Sequence, residues 1–232
     1  MTQPLDILVF GAHPDDAEIG MGGTIAKHTA AGYKVGVCDL TQAEMSSNGS
    51  VETRAKEAAE AARLLGLTVR TNLGLPDRGL ELCQAQIEAV TLEIRRHRPR
   101  IVFAPYWEDR HPDHVLCNKI VQEAIFNAKL RRYLPFTESV SVERLFFYFI
   151  NDSYEPHVTV DVSDVYERKQ SALRAYGTQF QAAGATNDFV PTPINQRYLE
   201  SVKARDYLLG QRLMVEYAEG FISKQPIAVR LF

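Results

Sequence analysis

An α/β architecture, with a mostly parallel Rossmann-like sheet and helices on both faces, is the fold class this sequence predicts. Three observations carry it. Short β-rich runs alternate with longer helical patterns through the first half of the chain, several of those runs are continuously apolar, and each is followed by a polar loop. Continuous apolar runs suit strands buried on both faces of a parallel sheet, and β-α alternation builds such sheets through right-handed crossovers. The 232 residues are enough for one sizeable core. One domain is expected over 1–232, with a Rossmann-like core in 1–130, a C-terminal extension in 131–232, and the active site at the carboxyl ends of the strands.

The first four strands are expected at 6–10 (DILVF), 34–40 (KVGVCDL), 68–73 (TVRTNL) and 100–105 (RIVFAP). Between the first two, 23–32 (GTIAKHTAAG) reads as a helix closed by Gly32. The next helix, 50–66, starts at Ser50, whose hydroxyl can accept a backbone N–H of the first turn, and ends at Gly66. Segment 85–99 repeats the form and stops at Pro99, because the residue before proline is driven out of the helical region. Further on, 144–150 (RLFFYFI) and 157–162 (HVTVDV) read as strands and 163–176 as a helix with a capped start. Residues 177–195 read as a loop from their Gly, Pro and Asn content, long enough for a lid or a partner contact.

A 45% hydrophobic and 24% charged composition with net charge -3 argues against a protein built to bind a polyanion. The basic run 95–100 (RRHRPR) is read as a solvated helix end whose charges suit the C-terminal dipole, so no nucleic-acid partner is expected. No segment approaches the roughly 20 apolar residues that span a bilayer, and no basic stretch precedes an apolar one at the N-terminus. A cytoplasmic protein without a membrane partner is expected. Cys38, Cys83 and Cys117 are odd in number and lack a CxxC pair, which suggests neither a disulfide framework nor a thiolate zinc site. Gly20, Gly22 and Gly23 lack the GxGxxG spacing of a dinucleotide site and are read as close helix packing.

In sheets of this kind ligands gather beyond the carboxyl ends of the strands. Four polar loops should share that rim: GAHPDD (11–16), TQAEMSSNGS (41–50), GLPDRG (74–79) and YWEDRHPDH (106–114). His-Pro-Asp occurs in two of them. His13 and Asp16 are three residues apart at a strand-to-helix junction, so both side chains can face one point while the adjacent Asp15 points elsewhere. One carboxylate can then bind a metal and the other stand beside the metal's open position. Alone, this spacing fits an Asp helix cap with a surface His equally well. His111 and His114 repeat the spacing after a second strand, with Asp113 between them as an orienter of an imidazole. Two imidazoles and a carboxylate would make an open-sided zinc or iron site. Spacing does not choose between His111 and His114 as the ligand.

AHPDDAEIGMGG (12–23), DLTQAEMSSNGSVETRAKEAAEAARLLG (39–66), LPDRGL (75–80), EDRHPDH (108–114) and YAEGF (217–221) together resemble the LmbE-like, or PIG-L, metal-dependent N-acetylglucosamine deacetylases, over nearly the whole chain. Within that family the likeness is greatest to the branch that deacetylates N-acetylglucosaminyl malate in bacillithiol biosynthesis. The resemblance implies that His13, Asp16 and His114 hold Zn2+, with Fe2+ the other candidate, and that Asp15 is the general base. It makes His111 the residue facing the reacting carbonyl and Asp113 its orienting partner. Arg54 it places near the sugar and the catalytic centre, and Glu44 and Asp77 on sugar hydroxyls. The family often has Thr-x-Gly-Glu where this chain reads Thr-Gln-Ala-Glu, so Glu44 lacks the preceding glycine. A small amino-sugar substrate and a homo-oligomer, such as a hexamer, are also implied.

The chemistry then expected is amide hydrolysis, with Asp15 taking a proton from metal-activated water and a protonated His111, held by Asp113, sharing the oxyanion with the metal. Asp15 or His111 protonates the leaving nitrogen. Arg78 and Arg110 lie in rim loops, where a guanidinium suits the carboxylates of malate. Deacetylation of another N-acetylglucosamine sugar or a chitooligosaccharide is the alternative. Two rivals come from other classes. A non-haem iron oxygenase shares the two-His-one-carboxylate set but displays it as His-x-Asp on an antiparallel framework, and a carbohydrate-binding protein leaves Asp15 without a purpose.

Overall fold

A computed structural model describes residues 4–181 and 189–228. Among them seven strands form one sheet: β1 (Ile7–Gly11), β2 (Val35–Thr41), β3 (Val69–Leu75), β4 (Ile101–Pro105), β5 (Arg144–Tyr148), β6 (Val158–Asp161) and β7 (Ala218–Ile222). Their order is β3-β2-β1-β4-β5-β7-β6. The first five are parallel, and β7 runs antiparallel to both β5 and β6.

Strand residues alternate between faces with period two, and β1 shows where that leads. Ile7 and Val9 join the core under α1 (Asp16–Ala30), α2 (Val51–Leu65) and α5 (Tyr166–Arg174). Leu8 and Phe10 join the opposite core under α3 (Gln84–His97) and α4 (Pro112–Ala128). With both faces covered, β1 and β2 are buried along their full length. The caps expected for α2 hold: the Ser50 hydroxyl accepts the Thr53 N–H at 3.2 Å and Gly66 closes the helix at φ 73°. The capped start expected at 163 does not: a 3-10 turn, Ser163–Val165, leads into α5 with no side-chain cap.

Several elements differ from the sequence expectation. The first helix begins at Asp16 rather than Gly23 and breaks at Met21 (φ -151°). There the buried Glu219 carboxylate accepts the N–H groups of Gly23 and Thr24 at 2.9 and 2.6 Å, capping the second half from β7. Close packing explains Gly20, where an added Cβ would lie 2.1 Å from Tyr148 Cδ2. Besides α6 below, α4, β7 and α7 (Tyr198–Arg212) were not expected. The basic run is not simply solvated either. Arg95 is buried and donates to the Asn127, Ala128, Leu130 and Leu134 carbonyls at the end of α4. The expected loop 177–195 carries a short helix, α6 (Gly177–Phe180), and residues 182–188 lie outside the described residues. Cys38 and Cys117 are buried free thiols. No helix among the described residues is long and apolar enough to cross a membrane.

Candidate active site

The chain leaves β1 toward β2 and β3 on one side and returns to β4 on the other, so β1 and β4 flank the switch point where doubly wound sheets bind ligands. A cavity of ≈ 410 Å³ opens there. The loops after β1, β2, β3 and β4 all line it, as expected, and the segment after β5 adds Ile150 and Asn151.

Asp16 is the first residue of α1, and its carboxylate accepts the His13 backbone N–H at 2.9 Å, which fixes the turn. Its two oxygens lie 3.7 Å from His13 Nδ1 and 3.2 Å from His114 Nε2, so one carboxylate stands between two imidazoles. His111 completes a group of three ring nitrogens all within 4.8 Å of one another. Burial alone would lower the basicity of His13 and His114. Asp113 and Asp77 outweigh it at His13, raising it to about 10, and Asp16 and Asp109 outweigh it at His114, raising it to about 9. Burial works the other way on Asp16, yet the positive charge of His114 and its hydrogen bond hold that carboxyl well below the usual range. Two imidazoles around one carboxylate form a donor set that fits a divalent metal, and His13, Asp16 and His114 are the residues that would hold it.

Asp15 sits at φ 121°, a left-handed conformation that costs a non-glycine residue roughly 1–3 kcal/mol. Arg54, buried in α2, stabilises it: Nε and Nη2 donate to the Pro14 carbonyl at 3.0 and 2.7 Å, and Nη2 donates to Asp15 Oδ2 at 2.8 Å. Asp15 thus meets Arg54, whereas Asp16 meets the two imidazoles. Burial pushes the Asp15 carboxyl up to about 7, with Arg54 pulling it down and Asp16 pushing it up. A carboxyl balanced there can take a proton and return it near neutral pH.

The remaining candidates are placed differently from the roles the resemblance implied. Asp113 meets His111 through its backbone, its N–H donating to His111 Nδ1 at 3.3 Å. Its carboxylate instead faces His13 Nε2 at 3.5 Å and accepts from Arg78 N and Nη1 at 2.9 and 3.1 Å, because Asp113 lies in the first turn of α4 with His111 as the cap. Burial and the positive charges of His114 and His13 lower the pKa of His111 below the usual imidazole value. Asp77 Oδ1 lies 3.1 Å from His13 Nε2. Glu44 is exposed and outside the cavity lining, where its Oε1 accepts the Asp77 N–H at 2.7 Å. Arg110 lines the cavity with no hydrogen bond or ion pair among the described residues.

Several cavity-wall residues and a supporting carboxylate escaped sequence reasoning. Asp109 accepts the His111 N–H at 2.7 Å, lies 3.0 Å from His114 Nδ1, and is held by the Asn151 amide at 2.8 Å. Its position two residues ahead of the second His-Pro-Asp was the available signal. Gln179, Ile194 and Tyr198 line the far wall from the C-terminal third, where no motif marks them.

The sequence profile of the PIG-L family, described as GlcNAc-PI de-N-acetylase, matches residues 8–125, which is half of the chain and spans both His-Pro-Asp segments. The chain belongs to this family of deacetylases. Diacetylchitobiose deacetylase of Thermococcus kodakarensis is 31% identical over 189 residues, covering 75% of this chain and 70% of that one. A probable N-acetyl-α-D-glucosaminyl L-malate deacetylase 2 of Bacillus subtilis is 28% identical over 186 residues, covering 75% and 82%. Among solved PIG-L-like folds, the conserved protein TT1542 from Thermus thermophilus matches with a TM-score of 0.89 and 41% identity over 97% of both chains. Identity to the diacetylchitobiose enzyme is slightly higher than that to the malate enzyme, so the comparisons do not single out the malate branch of the PIG-L family.

Proposed function

We propose that this PIG-L protein removes the N-acetyl group from an N-acetylglucosamine unit of a short neutral glycoside such as a chitooligosaccharide, by metal-assisted hydrolysis. The single observation that carries the reading is a buried Asp15, tuned to about 7, beside a His13–Asp16–His114 cluster in one cavity. A zinc or ferrous ion held there supplies Lewis acidity, lowering the pKa of water from about 15.7 toward about 7 and polarising the acetyl carbonyl.

The chain's own residues do the rest. Asp15, anchored through Oδ2 by Arg54, accepts the proton of the attacking water as the C–O bond forms. His111, whose Nδ1 accepts from the Asp113 backbone, carries its proton on Nε2 and donates it as a hydrogen bond to the tetrahedral oxyanion. Asp15 then returns its proton to the sugar nitrogen as the C–N bond breaks, releasing acetate and the free amine. A neutral substrate suits the rim because Arg78 is already paired with Asp113.

A second reading is favoured by Arg110, which lines the cavity with no hydrogen bond or ion pair among the described residues and which an acidic aglycone such as malate would engage. Free-amine release from N,N′-diacetylchitobiose and from N-acetylglucosaminyl malate separates the two. We expect a higher kcat/KM on the neutral disaccharide. A tenfold preference for the malate conjugate that vanishes in Arg110→Ala would establish the second reading, and no amine from either by folded, metal-loaded protein would refute both.

A further inference from the structure

We infer that Asn48 is a positioning residue that pins the segment 190–195 to the loop after β2 and so sets the far wall of the cavity in which the sugar binds. The inference rests on the deacetylase reading above and deepens it.

The loop after β2 runs from the cavity into the interior. Ala43, Met45 and Ser46 line the cavity, whereas Asn48 does not and is only 8% exposed. A buried primary amide must find partners at both of its ends, and Asn48 finds them on one residue. Its Oδ1 accepts the Val190 N–H at 2.8 Å and its Nδ2 donates to the Val190 carbonyl at 2.9 Å. The side chain thus pairs with backbone as a neighbouring strand would, across 142 positions of the chain.

Val190 passes the constraint on to the wall. Its carbonyl also accepts from Asn195 Nδ2 at 3.1 Å, and Asn195 Oδ1 accepts the Thr192 N–H at 3.0 Å, which closes the turn between them. Ile194 lies inside that turn and lines the cavity, as does Tyr198 at the start of α7. Among the described residues, no side chain outside 190–195 other than Asn48 hydrogen-bonds this segment.

The same loop meets a second piece of the wall by different means. The Asn48 carbonyl accepts from Gln179 Nε2 at 3.0 Å, and at Gly49, φ 78°, a Cβ would lie 2.9 Å from Thr178 Oγ1. Glu57 of α2 accepts the Thr178 N–H and hydroxyl at 2.7 and 2.8 Å. These contacts hold α6 whatever side chain stands at 48, whereas the ties to 190–195 need the amide. His13, Asp15, Asp16, His111 and His114 come from the loops after β1 and β4, and none of them bonds to Asn48. Releasing the amide therefore loosens the wall and leaves the reacting centre in place.

The test compares the whole zinc-loaded chain as wild type, Asn48→Ala and Asn48→Asp. Hydrogen exchange read by mass spectrometry reports on 190–195. KM is read by free-amine release on whichever of N,N′-diacetylchitobiose and N-acetylglucosaminyl malate the wild type hydrolyses faster. Asn48→Ala should exchange faster across 190–195 and raise KM roughly 5–30-fold, the worth of one to two net hydrogen bonds, with kcat within about threefold. Its zinc affinity should match wild type. Asn48→Asp keeps the acceptor for the Val190 N–H but sets an oxygen against its carbonyl, so it should shift both readouts the same way, and it carries the test if the alanine variant does not fold. A lower urea midpoint with unchanged KM would make Asn48 merely structural and overturn the inference, as would unchanged exchange over 190–195. A fall in kcat at unchanged KM would also overturn it, by moving the effect to the reacting centre. Wild type that releases no amine from either conjugate, while Asn48→Ala still speeds the exchange, would refute the deacetylase reading and the positioning role with it.

Discussion

Helix α1 touches two buried polar clusters of opposite character. At its kink, Lys169 donates to Asp206 and Glu219, both at 2.6 Å, while Arg205 meets the other Asp206 oxygen at 3.1 Å and Glu219 caps Gly23 and Thr24. Two cations face two carboxylates there, and the hydrogen bonds close on themselves. At the start of α1 the carboxylates of Asp15, Asp16, Asp77, Asp109 and Asp113 crowd around His13, His111 and His114, with Arg54 and Arg78 each paired to only one of them. That cluster contains a backbone strained at Asp15 and an Arg54 Nη1 buried without a hydrogen-bond partner among the described residues. A balanced cluster holds the fold, whereas an acidic excess that costs strain is what a site that binds a cation and a substrate would require.

This contrast can be broken by substitution. The largest effect should come from Asp15→Asn, which keeps the shape of the strained turn and removes the proton acceptor. We expect kcat on N,N′-diacetylchitobiose to fall by about 10²–10⁴-fold with one zinc still bound per chain, read by amine release beside metal analysis. Comparable turnover would move the base elsewhere. In the balanced cluster, Lys169→Met strands two buried carboxylates and should cost roughly 3–5 kcal/mol in urea unfolding. Zinc affinity of the folded fraction should stay unchanged, and a loss of zinc binding instead would show that the two clusters are coupled.

Smaller effects sharpen the packing side. Gly20→Ala drives a Cβ against the Tyr148 ring and should destabilise by about 1–3 kcal/mol, seen as a lower urea midpoint. An unchanged midpoint would mean that Tyr148 yields. Glu93 offers a control remote from both clusters. Burial alone would raise its pKa, but the hydrogen bonds from His97 at 2.9 Å and Thr71 at 2.6 Å outweigh it and hold the carboxyl below 4.5. A depressed acid contributes stability above its unfolded pKa and loses it as pH falls through the folded one. Glu93→Gln should therefore cost about 1 kcal/mol at pH 7 and approach wild type near the acid limit of folding. An equal cost at both pH values would rule out the charge as the cause.

What the sequence disclosed follows the same division. Strands β1, β2 and β4 were legible because burial on both faces leaves a run of apolar residues, and α2 because Ser50 and Gly66 mark its ends. Strand β7 was hidden by Glu219 and Gly220 inside AEGFI, residues that disfavour a strand until the packing of Lys169 and α1 is known. The two His-Pro-Asp segments located the site, since metal and acid-base chemistry restricts residue types and spacing at a strand end. Which carboxylate meets which imidazole was not legible. Asp113 turns to Arg78 and His13 because α4 begins at Pro112, and Asp77 reaches His13 through contacts 64 residues apart in the chain. Arg95 likewise read as surface charge until the end of α4 was seen packed over it.

The most direct measurement of the central claim is acetate release from N,N′-diacetylchitobiose by metal-stripped protein titrated with zinc. Activity should be absent at the start, rise linearly, and saturate at one zinc per chain. Full turnover by the stripped protein, or none after one zinc has bound, would contradict a metal-dependent deacetylase built on His13, Asp16 and His114.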